Sequence, residues 1–499
     1  VTTFPTHASP ELPGPGRPRS TEPAAPVGIA PTPASRNDVV PTSGPIPFGE
    51  LRSMLDGDLL MPGDPDFAAM ATPWNLAVPA DAAAVAVVDG PADIAAAVRF
   101  AGVHALSVAV RLTGHGAVPG SAPTLLIHTG RLDELEVRPD GTARVGAGVR
   151  WNEVMAAASP LGLAAPAGSS PHVGVVGFLT GGGIGPFVRT LGLGSDHVLA
   201  FDVVTGDGEM RRASTVENPA LFWALRGGKG VAGIVVAVEL RLPRVSTFFG
   251  GAIHLDGSHA ARVLHAWRDW TAGLPEQGTS SVALVRLPPM PGVPAELAGR
   301  LTVAVRFGWL GDPDEGRRVI APMLDLAPVL LGGMDVLPYG ALELIHADPV
   351  DPMPGHEASS VLRELTADDV ETVLRSAGPE ADCPQVLVEI RHLGGALART
   401  PAHPDAFSHR DARYLVSLIG LGVPPLMQAV ADHADGLIAA LAPRSCGRLP
   451  NFAPSTAPAE VRRTYSPETL RRLATLAATY DPAGVLADAA PIRQACLDT

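Results

Sequence analysis

Charge is scarce in this chain. Only 18% of its 499 residues are charged, 51 acidic against 37 basic, for a net charge of −14. An acidic excess repels phosphate backbones and anionic lipid surfaces, and no Lys/Arg cluster makes a local basic patch. No nucleic-acid or membrane partner is therefore expected. Cysteine is scarcer still. Cys383, Cys446 and Cys496 are odd in number and far apart, which suggests neither a disulfide framework nor a metal site. No run is long and apolar enough to span a bilayer. The N-terminus lacks a basic start followed by an apolar core, so no secretory signal is read there and a cytoplasmic location is expected. Oligomeric state leaves no mark in the sequence.

What is present is core-forming material. Hydrophobic residues make up 46%, a globular composition, and the length suggests two or three domains. Richness in Ala, Gly, Pro and Arg resembles proteins of high-GC bacteria. Residues 1–45 are crowded with Pro, Ser, Thr and Gly and read as a disordered tail. From about Pro47 the pattern becomes globular. Ala84–Val88, Leu106–Val110 and Thr124–Ile127 read as strands, with a helix from Pro91 to Phe100 that carries proline in its first turn. Ala143–Gly148 precedes a helix from Arg150. Val198–Val204 and Gly233–Leu242 are further strands. Beyond Arg244, strands such as Leu301–Phe307 and Val386–Ile390 mix with helices such as Ala260–Trp270 and Thr366–Ser376, an α+β pattern. Residues 441–499 hold a loop and the helix Pro467–Thr479. They are too few for an independent core, so they are expected to pack back onto an earlier domain.

Two glycine-rich segments carry most of the functional information. Val110–Gly116 is a strand end running into Gly114-His115-Gly116. Glycine lets the backbone approach a ligand closely, and successive N–H groups in such a turn form an anion nest suited to a pyrophosphate. Pro119 and the lack of a following helix argue against a Rossmann unit. Residues 168–185 contain seven glycines in eighteen positions. Side-chain-free backbone on that scale suggests contact with a large flat ligand.

On these segments the chain resembles the berberine-bridge-enzyme-like FAD-linked oxidases of the vanillyl-alcohol oxidase superfamily, over roughly residues 47–499. Val110–Gly116 resembles the family loop Val-Arg-Ser-Gly-Gly-His-Ser. Ser170 through Gly185 resembles Cys-Pro-Thr-Val-Gly…Ser-Gly-Gly-Gly-Tyr-Gly. Asn218–Gly230, Val388–Ala396, Asn451-Phe452 and Tyr480–Leu486 match further motifs in order. The resemblance implies an α+β fold. A two-subdomain FAD-binding domain spans 46–245, one subdomain on each side of 168–185. A substrate domain with a large antiparallel sheet spans 246–440. Residues 441–499 return to the FAD domain. It also implies FAD contacts from Arg111, Leu112, Thr113, Gly114, His115, Gly116 and Ala117 of the first loop. Ser170, Val173, Gly174, Gly177, Thr180, Gly182 and Gly183 of the second segment follow, with Ile234 and Asn451. His115 matches the residue that bonds covalently to the flavin. Neutral imidazole is a nucleophile near neutral pH.

Departures from the pattern sharpen the expectation. Ser170 stands where many relatives place a second, cysteine link, and a hydroxyl is far less nucleophilic than a thiolate. A single link is expected. Val173 matches a position that gates oxygen and resembles the oxidase-type choice. Phe452 replaces a catalytic tyrosine and cannot move a proton. Lys229 also replaces a family glycine, and Val231 and Ala232 replace the family's Asn-Phe. Replacement bases come from the substrate domain. Side chains alternate along Val388–His392, so Glu389 and Arg391 share one face and His392 takes the other. Glu389, His392 and Tyr414 are the catalytic candidates, with Tyr339 a further one. The expected function is an FAD-dependent oxidase or dehydrogenase that tailors a small secondary metabolite by hydride transfer to flavin N5, with O2 as acceptor. The alternatives are a redox-neutral cyclase that keeps FAD as a scaffold, which Phe452 motivates, and a drug-binding self-resistance protein.

Overall fold

In the N-terminal half, strand patterns separated by one strong helix produce a small parallel sheet. The computed structural model describes residues 45–497 except 121, 122 and 453. Apart from Pro45, the tail read over 1–45 lies outside the described residues. Strands β1 (Asp58–Leu60), β2 (Ala84–Val87), β3 (Ser107–Arg111) and β4 (Thr124–His128) form a sheet in the order β1-β2-β4-β3. Both β2 and β3 run parallel to β4. The helix Pro91–Val103 starts on its proline and lays Ile94, Ala97 and Val98 against Ala84, Ala86 and Leu125. The alternate residues Val85, Val87 and Leu126 fill a second small core on the other face. Buried on both faces, β2 reads as a continuous apolar run. Buried Asp93 ties the helix start to the loops around it, accepting from the Asp56, Gly57 and Asp89 amides at 2.8, 3.1 and 2.8 Å.

The second sheet is antiparallel, in the order β5-β6-β9-β7-β8. Its strands are β5 (Leu135–Val137), β6 (Thr142–Gly146), β7 (Val198–Thr205), β8 (Met210–Ser214) and β9 (Gly233–Arg241). This corrects the expected division at 168–185. Strand β6 pairs with β9, so the glycine-rich segment is an excursion from within the second sheet. The sheet boundary lies between His128 and Leu135. The segment also contains a helix, Val175–Thr180, which its glycine content concealed.

The third sheet has eight strands: β10 (Thr247–Asp256), β11 (Gly278–Arg286), β12 (Leu301–Trp309), β13 (Val329–Pro338), β14 (Gly355–Leu362), β15 (Gln385–His392), β16 (Tyr414–Leu421) and β17 (Ser445–Gly447). Its order is β13-β10-β12-β11-β15-β16-β14-β17, antiparallel throughout. One face packs Val282, Val305, Val388, Ile390 and Val416 against Trp267, Val370 and Leu437 from three helices. Period-two alternation therefore turns Ser281, Arg306, Glu389, Arg391 and Ser417 to the opposite face. That face is polar.

The C-terminal segment divides its loyalty. Strand β17 joins the edge of the third sheet beside β14. The helix Pro467–Tyr480 places Leu470, Leu473 and Ala477 in the core of the first two sheets, with Trp223 and Phe222. Among the described residues no helix is long and apolar enough to cross a membrane.

Candidate functional site

The first loop begins where β3 ends. Thr113 accepts the Trp74 amide at 2.9 Å, and Arg111 donates to the Ala71 carbonyl. Gly114 has φ +77°, and a Cβ there would stand 2.7 Å from Pro73 Cα. Only glycine fits this crossing. His115 is thereby laid on Trp74, ring centroids 4.5 Å apart and 21° from parallel. Among the described residues, its buried Nε2 has no hydrogen-bond partner. Burial, then Arg150, lower its imidazolium to about 4 against the pull of Asp348. The ring is therefore neutral at pH 7, a free lone pair on a rigid turn.

The second segment lies across this loop. Gly174 passes so close to Leu112 that a Cβ would meet its Cδ2 at 2.9 Å. The Val173 carbonyl accepts from the Trp151 amide at 3.1 Å, and Ser170 is half-buried beside it. Gly177 faces open space, with nothing within 4 Å of a Cβ position. Gly182 and Gly183 are left-handed, at φ +96° and +80°. The Thr180 hydroxyl is occupied by the Val176 carbonyl at 3.0 Å, while its own carbonyl accepts the Gly227 and Lys229 amides at 2.9 and 3.0 Å. Asn451 arrives from the C-terminal segment and donates to the Phe178 carbonyl at 2.8 Å. Ile234 is buried in β9, and Val231 and Ala232 are core residues beside it.

The polar face of the third sheet closes the site. Glu389 is buried and bonded to the Ser281 hydroxyl at 2.7 Å, to Arg306 at 2.6 Å and to Arg391 at 2.6 Å. Burial alone would raise its pKa, but Arg391 and Arg306 outweigh this and hold it well below the usual carboxylate range. Arg391 also lies over the Phe452 ring, 5.6 Å from its centroid. The loop that carries His346 and Asp348 meets Trp74, whose indole Nε1 donates to the Val350 carbonyl at 3.2 Å, and this places the ion network beside the turn of His115. His346 Nε2 stands 3.5 Å from Glu389 Oε1, and among the described residues its buried Nδ1 has no hydrogen-bond partner. Burial and Arg391 lower its pKa. Next to it Ala347 is held at φ +51°, a strain found where a segment is fixed for function. Arg306 lies on β12 and His346 and Asp348 in the loop before β14, with no local motif to join them in the sequence.

The catalytic candidates need correction. His392 and Tyr414 lie on the helix-covered face, stacked at 5.3 Å and set edge-on to Trp267. Burial and Arg189 hold the His392 imidazolium down to about 2, so this ring takes no proton in the working range. Tyr339 is buried against Phe187 and Phe248. Glu389 is on the correct face, but a carboxylate held by two guanidinium groups is a poor base. Cys446 does meet His409 and Asp411, donor atoms within 4.8 Å. Asp411 is already held by Arg363 at 2.8 Å, and Arg363, Arg410 and Arg463 line the same cleft. Their charge opposes a cation, and we assign the cluster no role.

The residues fit a flavin dinucleotide. A neutral orphan imidazole, a side-chain-free cradle and an open glycine face meet in one place. The FAD binding domain family matches residues 82–214. The (R)-6-hydroxynicotine oxidase of Paenarthrobacter nicotinovorans is 30% identical over 359 residues, 68% of this chain and 75% of that one. The chain belongs to the berberine-bridge-enzyme-like FAD-linked oxidases of the vanillyl-alcohol oxidase superfamily. It is an FAD-dependent oxidoreductase. Among solved structures, 6-hydroxy-D-nicotine oxidase from Arthrobacter nicotinovorans superposes with TM-score 0.73 at 25% identity, covering 87% of this chain and 96% of that one. The BBE-like 1 protein of Physcomitrella patens superposes with TM-score 0.76 at 17% identity, covering 88% and 97%, a likeness of fold.

Proposed function

We propose that this oxidoreductase is an oxidase that holds FAD through one covalent link, at His115, and acts on a small molecule seated between the flavin and the polar face of the third sheet. Bound there, FAD would supply a hydride acceptor at N5, with O2 as the final electron acceptor in this reading. The carrying observation is His115 itself: neutral, orphaned, and fixed on Trp74 by a turn that only Gly114 allows. Ser170 offers no thiolate for a second link. Val173 stands beside the loop as the oxygen-facing residue. Arg391 and Arg306, with Glu389 between them, orient polar groups of the substrate.

Phe452 leaves the substrate proton without its usual acceptor. His346 replaces it in this reading. Its ring is neutral, its Nδ1 has no partner among the described residues, and Glu389, against its Nε2, lies close enough to stabilise the imidazolium that forms. The substrate is a secondary metabolite in this proposal. Nicotine-derived compounds in the relatives' names are consistent with an amine or alcohol carbon as hydride donor.

Acid precipitation of the purified protein tests the link. Yellow colour is expected to stay with the pellet in the wild type and to move to the supernatant in His115→Ala. Wild-type flavin released into the supernatant overturns the covalent link. Photoreduced protein mixed with O2 tests the acceptor: rapid return of the oxidised spectrum is expected, and persistence of the bleached form removes O2 from the mechanism.

A further inference from the structure

Lys229 is the only lysine in the 499 residues, every other basic residue being arginine. It occupies a left-handed conformation, φ +61°, which glycine enters freely and a residue with a Cβ does not. The related motifs place glycine there. A side chain kept at such a position against its backbone preference points to a task for that side chain.

Its surroundings say which. Lys229 Nζ donates to Asn451 Oδ1 and lies 3.5 Å from the Gly177 carbonyl. It is 3.9 Å from where a Cβ on Gly116 would stand. These partners are neutral. Among the described residues no carboxylate makes an ion pair with it. Asp488, the one acid whose field reaches it, is bonded to the Gly230 amide at 3.0 Å. Burial lowers the ammonium to about 8, with Asp488 opposing. A half-buried cation with only neutral partners is stabilised by an arriving anion. The turn at Gly114–Ala117, directly beside it, presents backbone N–H groups of the kind that cradle phosphate. An ammonium is a compact point charge, suited to a gap where no planar fork of acceptors exists for a guanidinium.

The geometry points to Lys229 as the counter-cation of the FAD diphosphate, held over the Gly116 turn by Asn451 and the Gly177 carbonyl. This assignment rests on the FAD reading and adds to it a charge that the glycine-bearing relatives lack. It makes the non-covalent part of cofactor binding in this chain partly electrostatic.

The test uses the full flavin-loaded chain. Lys229→Gly removes the charge and relieves the left-handed φ, so the fold is retained. The ³¹P resonances of the bound diphosphate are expected to shift between wild type and Lys229→Gly. In a His115→Ala background, where flavin is exchangeable, Lys229→Gly is expected to weaken FAD retention at least tenfold and to flatten its salt dependence. Unchanged ³¹P resonances with unchanged retention overturn the assignment. A changed flavin reduction potential with unchanged ³¹P resonances also overturns it, by moving the ammonium to the flavin ring. Wild-type protein purified without flavin overturns the FAD reading and this assignment together. Flavin present but indifferent to Lys229→Gly overturns the assignment alone.

Discussion

At His115, burial, Arg150 and His172 act against the imidazolium, and Asp348 opposes them. The identity of the residue was plain from its Gly-His-Gly setting. Its protonation was not, because those neighbours come from positions far along the chain. At His346 neither its part in the site nor its protonation was legible. If it takes the substrate proton, His346→Gln lowers kcat by about two orders of magnitude or more with a smaller change in KM, within the range of general-base removal. Steady-state kinetics on any turned-over substrate checks this, and an unchanged kcat removes His346 from the mechanism. Glu389 makes a different prediction. Glu389→Gln leaves Arg306 and Arg391 buried beside a neutral group, and loss of one partner from a buried ion network costs about 3–5 kcal/mol. A fall in denaturant midpoint is expected, along with loss of substrate orientation. Val173→Leu adds bulk beside the flavin loop and is expected to slow reoxidation of photoreduced protein about tenfold or more, roughly 1.4 kcal/mol in barrier.

At the scale of elements, the glycine-rich segment and the C-terminal segment lock each other. A Cβ on Gly181 would stand 2.0 Å from Asn451 Oδ1. Gly181→Ala therefore pushes Asn451 out of its bond to the Phe178 carbonyl and frees the end of the helix Val175–Thr180. Weaker flavin retention in a His115→Ala background, with a nearly unchanged melting temperature, is the expected result, read by flavin release during heating. Asp481 anchors the same segment from the other end. It is fully buried and accepts from the Val485 amide at 2.8 Å, from Leu486 at 3.2 Å and from Arg493 at 2.9 Å. Asp481→Ala strands those donors. Each unsatisfied buried group costs about 1–3 kcal/mol, so the melting temperature of this variant falls sharply. Element type was legible wherever periodicity was strong, as in Pro91–Val103 and β12. The helix at 175–180 was hidden because glycine weakens every helix signal, and only packing under the first sheets holds it.

At the scale of the whole molecule, buried neutral histidines make stability depend on pH. His115 and His254 are held to about 4 and His392 to about 2, against 6.5 for the free side chain. Below about pH 6.5 the unfolded chain takes up protons that the native chain refuses until far lower. Stability therefore falls as pH drops from 6.5 toward 4, by up to about 1.4 kcal/mol per pH unit for each such group. Chemical denaturation at pH 7 and pH 5 checks the sign, and a higher midpoint at pH 5 would falsify it. The sequence by itself determined the family, the two glycine-rich segments, the histidine between two glycines, the serine and phenylalanine where relatives carry reactive side chains, and the alternation of β15. These are local properties, written in spacing and residue type. Tertiary structure decided which face of the third sheet looks at the flavin loop, and with it the removal of His392 and Tyr414 from the candidates. It brought Arg306, His346 and Asp348 together and turned Lys229 toward Gly116. The reason is physical: a strand pattern fixes two faces but not which one is covered, and that choice is made by helices that lie elsewhere in the chain.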